Sequence, residues 1–401
     1  MSVAPAFALP FALEAAEPPE ARGLARDEVR LMVARPGAPL EHARFLDLPR
    51  FLRRGDLLVV NESATLPAAL RATRADGTSV TLHLSTPEPA AVAAADAPPP
   101  GDGVSTPEGS VVAVPPRRGA ESWAVAAADA PPPGGAEAWP VAAATKTRAG
   151  ERWIVELRRG GARFRGGRCG ETLELSGGGR ATLVAPFLSA GRLWIAALEL
   201  PAPLLAFLDE HGAPIRYPHQ PRDWPLRDHQ TIFARVPGSA EMPSAGRPFS
   251  PRVMARLGAG VRIAPIILHT GVSSQERGER PYPERFEVPA ATAARVNAAR
   301  AAGGRVIAVG TTVTRALETV AAPGGRVVAG SGWTSLTVTP ERGVRAVDGL
   351  ITGWHEPDAS HLLLLEAVAG RALVERSYAA AVAAGYRWHE FGDSHLLLRA
   401  P

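Results

Sequence analysis

The chain has 401 residues and 46% hydrophobic content, enough to bury a large core and to build two or three domains. Its formal charge of +4, with an isoelectric point near 9.8, is compatible with a phosphate backbone as partner without requiring one. Cys169 is the only cysteine and Lys146 the only lysine among 44 basic residues, which excludes disulfides, cysteine-rich zinc sites and a three-cysteine iron–sulfur cluster, and leaves no natural place for a Schiff-base or P-loop lysine.

In chain order, the N-terminal stretch MSVAPAFALPFALEAAEPPEARG has a short apolar part with no basic segment ahead of it. It predicts a leader strand rather than a secretory signal, and no apolar run approaches the roughly 20 residues of a membrane helix, so a cytoplasmic protein is expected. Residues 1–70 read as strands and short helices, with LLVVN at 57–61 a buried strand and Asn61 at the point where a functional loop would begin. VTLHL at 80–84 is strand-like. Residues 86–144 are then dominated by Ala, Pro and Gly, and AVAAADAPPPG occurs twice, at 91–101 and 124–134. Such repeats do not fit a solenoid and predict a mobile, dispensable loop.

Between 153 and 200 the segments RWIVELR, ETLELSG, GRATLVAPFL and RLWIAALEL alternate apolar and polar residues between glycine-rich turns, the pattern of antiparallel β-structure. Downstream, Ser250 and Pro251 form a helix start, and Gly258 with Gly260 ends that helix before the strand VRIAPIILH. A dinucleotide fingerprint follows a strand and opens a helix, whereas this glycine pair does the reverse, so no nicotinamide site is expected. The strand delivers His269 to its C-terminal end, where α/β folds place ligands. Val306, Ile307, Ala308 and Val309 form a short buried strand, and Gly310 then opens a helix with apolar positions at Val313, Ala316 and Leu317. Thr311 or Thr312 can cap that helix, whose free N–H groups would face an anion. Arg315 and Glu318 have the spacing of an i,i+3 ion pair. His355 lies on a loop after the hydrophobic strand GLIT, and Gly392 with Asp393 fits either a strand-entry turn or a polar site contact.

Several of these segments occur together in one known family. RDEVRLMVA (26–34), FLDLPRFLRRGDLLVVNESATLPAAL (45–70), DHQTIFA (228–234), RVIAVGTTVTRALET (305–319), AVDGLITGWHEP (346–357), LLLLEAVAG (362–370) and GYRWHEFGDSHLLL (385–398) resemble, in order and wording, the queuosine-pathway S-adenosylmethionine:tRNA ribosyltransferase-isomerases. The resemblance covers nearly the whole chain. It implies an α/β catalytic domain, residues 1–70 plus 201–401, with a small antiparallel β-barrel domain inserted at 71–200. It implies S-adenosylmethionine as co-substrate without a metal. Gly310, Thr311, Thr312, Arg315, Glu318, Ser244, Ala245, Gly246 and Asn61 would bind this donor, and His269 and His355 would be catalytic.

In that family a base removes a proton beside the sulfonium, adenine and methionine leave, and the ribosyl carbons rearrange on the aminomethyl group of a 7-deazaguanine in tRNA, giving epoxyqueuosine. The implied protein is a monomer acting on a tRNA anticodon loop. Departures from the family wording gather near the implied site. AGLHF becomes AGRPF, placing Arg247 and Pro248. FHLPKST becomes WHEPDAS, placing Glu356 and Asp358. GLGTF becomes GVSSQERG, NDTRVIPARL becomes NESATLPAAL, and GDAMLI becomes GDSHLLL. Three readings follow: the tRNA ribosyltransferase-isomerase, a relative that uses the same donor with a small-molecule or nucleoside acceptor, and a nonenzymatic RNA-binding protein. Retention of both histidines and of GTT-x-x-R-x-LE argues against the third.

Overall fold

The structure, a computed structural model, describes residues 9–89, 151–188, 191–272, 282–357 and 359–399. Nearly all of the Ala/Pro-rich repeat segment, Lys146, most of GVSSQERG and Asp358 lie outside the described residues. The strands are β1 (Arg30–Ala34), β2 (Glu41–Arg44), β3 (Leu57–Asn61), β4 (Ser63–Thr65), β5 (Ala69–Thr73), β6 (Ser79–Pro87), β7 (Glu151–Arg159), β8 (Ala162–Arg163), β9 (Thr172–Leu175), β10 (Arg180–Phe187), β11 (Leu193–Glu199), β12 (Gly212–Ala213), β13 (Val236–Ser239), β14 (Arg262–Leu268), β15 (Glu284–Val288), β16 (Val306–Val309), β17 (Gly330–Thr334), β18 (Gly349–Thr352) and β19 (Ser394–Leu398). The α-helices are α1 (Leu204–His211), α2 (Pro251–Leu257), α3 (Ala290–Ala301), α4 (Thr311–Thr319), α5 (His361–Ala369) and α6 (Arg371–Ala383).

A nine-stranded sheet, in the order β17-β15-β14-β3-β16-β18-β19-β1-β2, forms the larger part. Its centre is parallel, β14, β3, β16 and β18 running the same way. All five residues of LLVVN are buried in β3, and they alternate between two cores. Leu57 and Val59 pack with Val296 of α3, Val313 of α4, Leu365 of α5 and Val374 of α6. Leu58 and Val60 pack with Phe45, Leu48, Phe249 and Val253 on the other face. A strand with a period of two covered on both faces must be apolar throughout, which is why this segment reads as a continuous run. Ser250 caps α2 by accepting from Val253 N at 3.2 Å, and Gly258, at φ 62°, ends it.

The second sheet runs β11-β10-β9-β5-β6-β7, and pairing of β11 with β7 closes it into a six-stranded antiparallel barrel. Closure removes the free edges that an open sheet of this size would expose. Alternating inward residues such as Leu82, Leu84, Val155, Leu157, Leu173 and Leu183 fill its interior. The chain is therefore an α/β domain carrying an inserted antiparallel β-barrel, the class predicted from sequence. Among the described residues no helix is long and apolar enough to cross a membrane.

The predicted leader strand is not a strand in the described residues. Phe11–Leu13 and Pro19–Arg22 are single 3₁₀ turns, and only Glu14 makes an isolated bridge, to Trp388. Pro10, Pro18 and Pro19 remove backbone donors that a ladder needs, so the segment is held by one short backbone bridge to Trp388 and by side-chain ties such as Arg22 to Phe391 O and Arg247 to Glu20.

Candidate active site

A cavity of about 530 Å³ lies between the barrel and the C-terminal ends of the parallel strands. Thr270 after β14, Gly310 to Thr312 after β16 and Thr352 to Glu356 at and after the end of β18 contribute its floor, and Arg158 and Arg163 of the barrel reach its rim. Crevices outside the carboxyl ends of such strands are where open α/β sheets bind ligands, and the volume lies in the range of small-molecule sites.

One wall is made by the GTT turn. Gly310 has φ 105° and ψ 153°, a conformation that favours glycine, and its N–H donates to Ile351 O at 2.8 Å. A Cβ there would also meet Thr312 Oγ1 at 3.3 Å and Ala245 Cβ at 3.5 Å. This turn takes the chain directly from β16 into α4. The predicted threonine cap does not form: Gly310 holds the N-cap position with no side chain to offer, and Thr311 and Thr312 fall inside the first turn. Their backbone N–H groups at the cavity wall lack intrahelical partners, so this wall suits an anion. Ser244 and Ala245, on a 3₁₀ turn, complete it, with Gly246 buried behind them.

Arg315 lines the cavity but is fully committed. It pairs with Glu284 and donates to Thr334 O at 3.1 Å and Leu336 O at 3.2 Å. Glu318 faces away from the cavity, accepting from Arg345 N at 2.7 Å, Ala346 N at 2.8 Å and Arg342 Nη1 at 2.8 Å. The expected i,i+3 pair between them is replaced by these two longer-range pairs, because α4 is buried on almost every side.

Asn61, Gly246, Glu318 and His269 do not line the cavity. Asn61 joins the ends of β3 and β14, its Oδ1 accepting from Leu268 N at 3.0 Å and its Nδ2 donating to Leu268 O at 2.8 Å. His269 Nδ1 is 2.7 Å from Ser63 Oγ, which is 2.6 Å from Ser239 Oγ. Burial, assisted by the nearby Arg285 charge, pushes the pKa of His269 down to about 4, so its ring is neutral at neutral pH.

The opposite wall carries His355. Its Nε2 is 2.8 Å from Thr352 Oγ1, its ring stacks on His361 with centroids 4.7 Å apart, and Trp388 Nε1 donates to its carbonyl at 3.1 Å. Burial, with neighbouring imidazoles, holds its pKa well below the usual histidine value. Beside it, Tyr217, His219 and His389 form a column of nearly parallel rings, with interplanar angles of 8° and 14°. His219 Nε2 is 3.2 Å from Glu390 Oε2. Burial opposes the charge on both members. Their mutual bond outweighs it, raising the pKa of His219 and lowering that of Glu390. Glu356 faces His389 at 4.0 Å.

Glu14, His219 and His389 bring three ligand-type atoms within 4.8 Å of one another. The His219 and His389 rings stack with centroids 4.2 Å apart, and Glu14 stands beside them. His219 and Glu390 escaped the sequence reading. The sequence signal available was the HE pair inside GYRWHEFGD, whose partner histidine lies 171 residues away. Arg247, at the first departure of AGRPF, is 2% exposed and ties the N-terminal segment to the domain, donating to Glu20 Oε2 at 2.8 Å and to Asp228 O at 2.9 Å. Asp393 accepts from Arg30 N and Arg387 N, both at 2.8 Å, and so forms the strand-entry turn before β19.

An α/β sheet with a barrel inserted in it, and a polar cavity where the two meet, defines a ligand-binding scaffold. The chain belongs to the family described as queuosine biosynthesis protein, whose model matches residues 5–132 and 134–397. It is similar to the S-adenosylmethionine:tRNA ribosyltransferase-isomerase of Methylobacterium sp. (strain 4-46), at 36% identity over 98% of this chain and 97% of that protein. It is also similar to the enzyme of the same name from Moorella thermoacetica, at 36% identity over 93% and 94%, and to that from Anaeromyxobacter dehalogenans, at 37% over 98% of each. The crystal structure of S-adenosylmethionine tRNA ribosyltransferase from Thermotoga maritima aligns over 98% of this chain and 99% of that one, with 25% identity and a TM-score of 0.47.

Proposed function

We propose that the protein is an S-adenosylmethionine:tRNA ribosyltransferase-isomerase. The α/β part, residues 1–70 plus 201–401, carries the chemistry, and the insertion 71–200 takes part in holding the acceptor. The observation that carries this reading is the near full-length similarity to enzymes of that name, in a chain whose cavity has one anion-facing wall and one proton-handling wall. The donor's carboxylate sits at the start of α4, against Gly310, Thr311 and Thr312, with Ser244 and Ala245 alongside. Its sulfonium lies toward the cavity carboxylates, among them Glu241 and Glu356. Arg315, Glu318, Asn61 and Gly246 hold that surface in place.

His355 takes the proton from the carbon beside the sulfonium. Burial keeps the ring neutral, so one nitrogen is unprotonated at neutral pH, at the cost of a weaker base, and Thr352 and His361 fix its orientation. His269 supports the floor through Ser63 and Ser239. Adenine and methionine leave, and the ribosyl carbons pass to the aminomethyl group of the 7-deazaguanine in tRNA. Adenine release from S-adenosylmethionine, measured with deazaguanine-containing tRNA and with metal-free protein, tests the reading. Absence of release with tRNA, despite donor binding by calorimetry, would overturn it.

A second reading keeps the donor and changes the acceptor. It is favoured by Glu356, His389 and Glu390, which stand in the segments that depart from or lie between the family's fixed positions and which meet on one wall. Adenine release with free deazaguanine nucleoside but not with tRNA supports this second reading over the first.

A further inference from the structure

Residues 157–170 of the barrel contain five arginines and no acidic residue. They leave β7, turn at Gly160 and Gly161, whose φ values are 57° and 82°, return through β8, and cross the barrel surface to β9. The arginines of this arm fall into two sets. Arg158 and Arg163 are tied inward: Glu156, wholly buried, takes Arg158 at 2.6 Å, Arg163 at 3.8 Å and Arg192 at 3.1 Å. That network fixes the hairpin over the cavity, which Arg158, Gly161, Ala162 and Arg163 line. Arg159, Arg165 and Arg168 are exposed to solvent.

The path between them is rigid. The Arg74 guanidinium lies 5.0 Å from the Phe164 ring and donates to Gly166 O at 3.2 Å. A Cβ on Gly166 would meet Phe164 Cζ at 2.5 Å, and one on Gly167 would meet Leu183 and Trp194 at 3.0 Å. The first of these contacts is within the arm and the second is with the barrel, so glycine at 167 lets the backbone lie close to the barrel, and the exposed charged groups along it are guanidiniums. Planar guanidinium groups match phosphate oxygens in pairs, and a surface held in place before binding loses little freedom when a partner arrives.

We propose that this arm is the surface that grips the phosphate backbone of the RNA substrate, with Arg159, Arg165 and Arg168 as the contacts. The inference rests on tRNA being the substrate. RNA crossing the arm at the cavity rim has a nucleotide within reach of the cavity, where a base can be reacted only after leaving its stack.

The test is tRNA binding across a salt series for the wild type and for the R159Q/R165Q/R168Q variant, with calorimetry of S-adenosylmethionine on both. Each neutralised phosphate contributes about 0.7 to 0.9 to the slope of log affinity against log salt. The variant is expected to lose about 2 to 3 of that slope and at least about 10-fold in tRNA affinity, with donor affinity unchanged. The single variants should each flatten the slope by just under 1, which keeps the test open if the triple variant folds poorly. R54Q/R256Q/R262Q, at the opposite end of the parallel strands, serves as control and should match the wild type. A triple variant equal to the wild type in slope and affinity overturns the arm while leaving the functional reading standing. Wild-type protein that binds the donor but ignores tRNA removes that reading, and the inference with it.

Discussion

The two walls of the cavity are held by different physics. On the Gly310 side the groups that face a ligand are backbone N–H groups, and the charged side chains beneath them, Arg315 and Glu318, are consumed by Glu284 and Arg342. On the His355 side the facing groups are imidazoles and carboxylates, several of them displaced from their ordinary pKa by burial or by one another. A fixed dipole surface binds without changing its own charge. A wall of titrating rings can take up and release protons, and it is correspondingly sensitive to pH. Substitutions on the first wall should therefore act on folding and affinity, and those on the second on rate and its pH dependence.

The largest effect is expected from Glu318→Ala, which removes three hydrogen bonds and takes the carboxylate from Arg342, leaving it only its backbone acceptors Gly343 O and Glu318 O. Denaturant unfolding should show a loss of about 3 kcal/mol, with the donor affinity of the folded fraction little changed. A large fall in affinity without loss of stability would mean that Glu318 touches the ligand. Next is His355→Gln, which keeps a polar group but removes the base. Adenine release should fall about 100-fold, equivalent to about 2.7 kcal/mol, at nearly constant donor affinity. Full activity in this variant would move the proton acceptor to His219 or Glu356.

A smaller effect involves His395, stacked 4.4 Å from Trp354, with no hydrogen bond to either nitrogen and a pKa lowered by burial to about 3. The unfolded chain binds a proton here near pH 6.5 and the folded one does not, so stability is full above pH 6.5 and declines as pH falls toward 3. His395→Met should remove about 2 kcal/mol of the difference in stability between pH 7 and pH 5, read by denaturant unfolding at each pH. An undiminished difference would place the acid sensitivity elsewhere. The smallest effect is that of Glu390→Gln. Without the carboxylate, the pKa of His219 drops and the acid limb of the pH–rate profile shifts to lower pH. An unmoved limb would show that His219 does not report on the reaction.

The GTT wall was legible because it is local: an apolar tetrad, a glycine and a helical pattern within fifteen residues give strand, turn and helix by themselves. The antiparallel strands of the insertion were legible for a similar reason, clearest in β9 and the start of β10, whereas their closure into a barrel was implied only by the family resemblance. What local pattern could not supply was direction and partner. Arg315 and Glu318 have ion-pair spacing, and only the burial of α4 reveals that each is claimed from elsewhere in the chain. His219 and Glu390 lie 171 residues apart, and nothing in either segment announces the other. The threonine cap failed because a positive-φ glycine at the N-cap was not anticipated. The described part of the leader is not a strand because Pro10, Pro18 and Pro19 deny it a ladder.

Cys169 is exposed, follows Arg168 directly, and donates its thiol to Val184 O at 2.7 Å. As the only sulfhydryl of the chain, it accepts a maleimide dye at one known place without any substitution. The wild-type sequence thus carries its own attachment point for a reporter beside the arginine arm, and arrival of a polyanion there becomes an optical signal, readable in real time on a protein with no engineered residue.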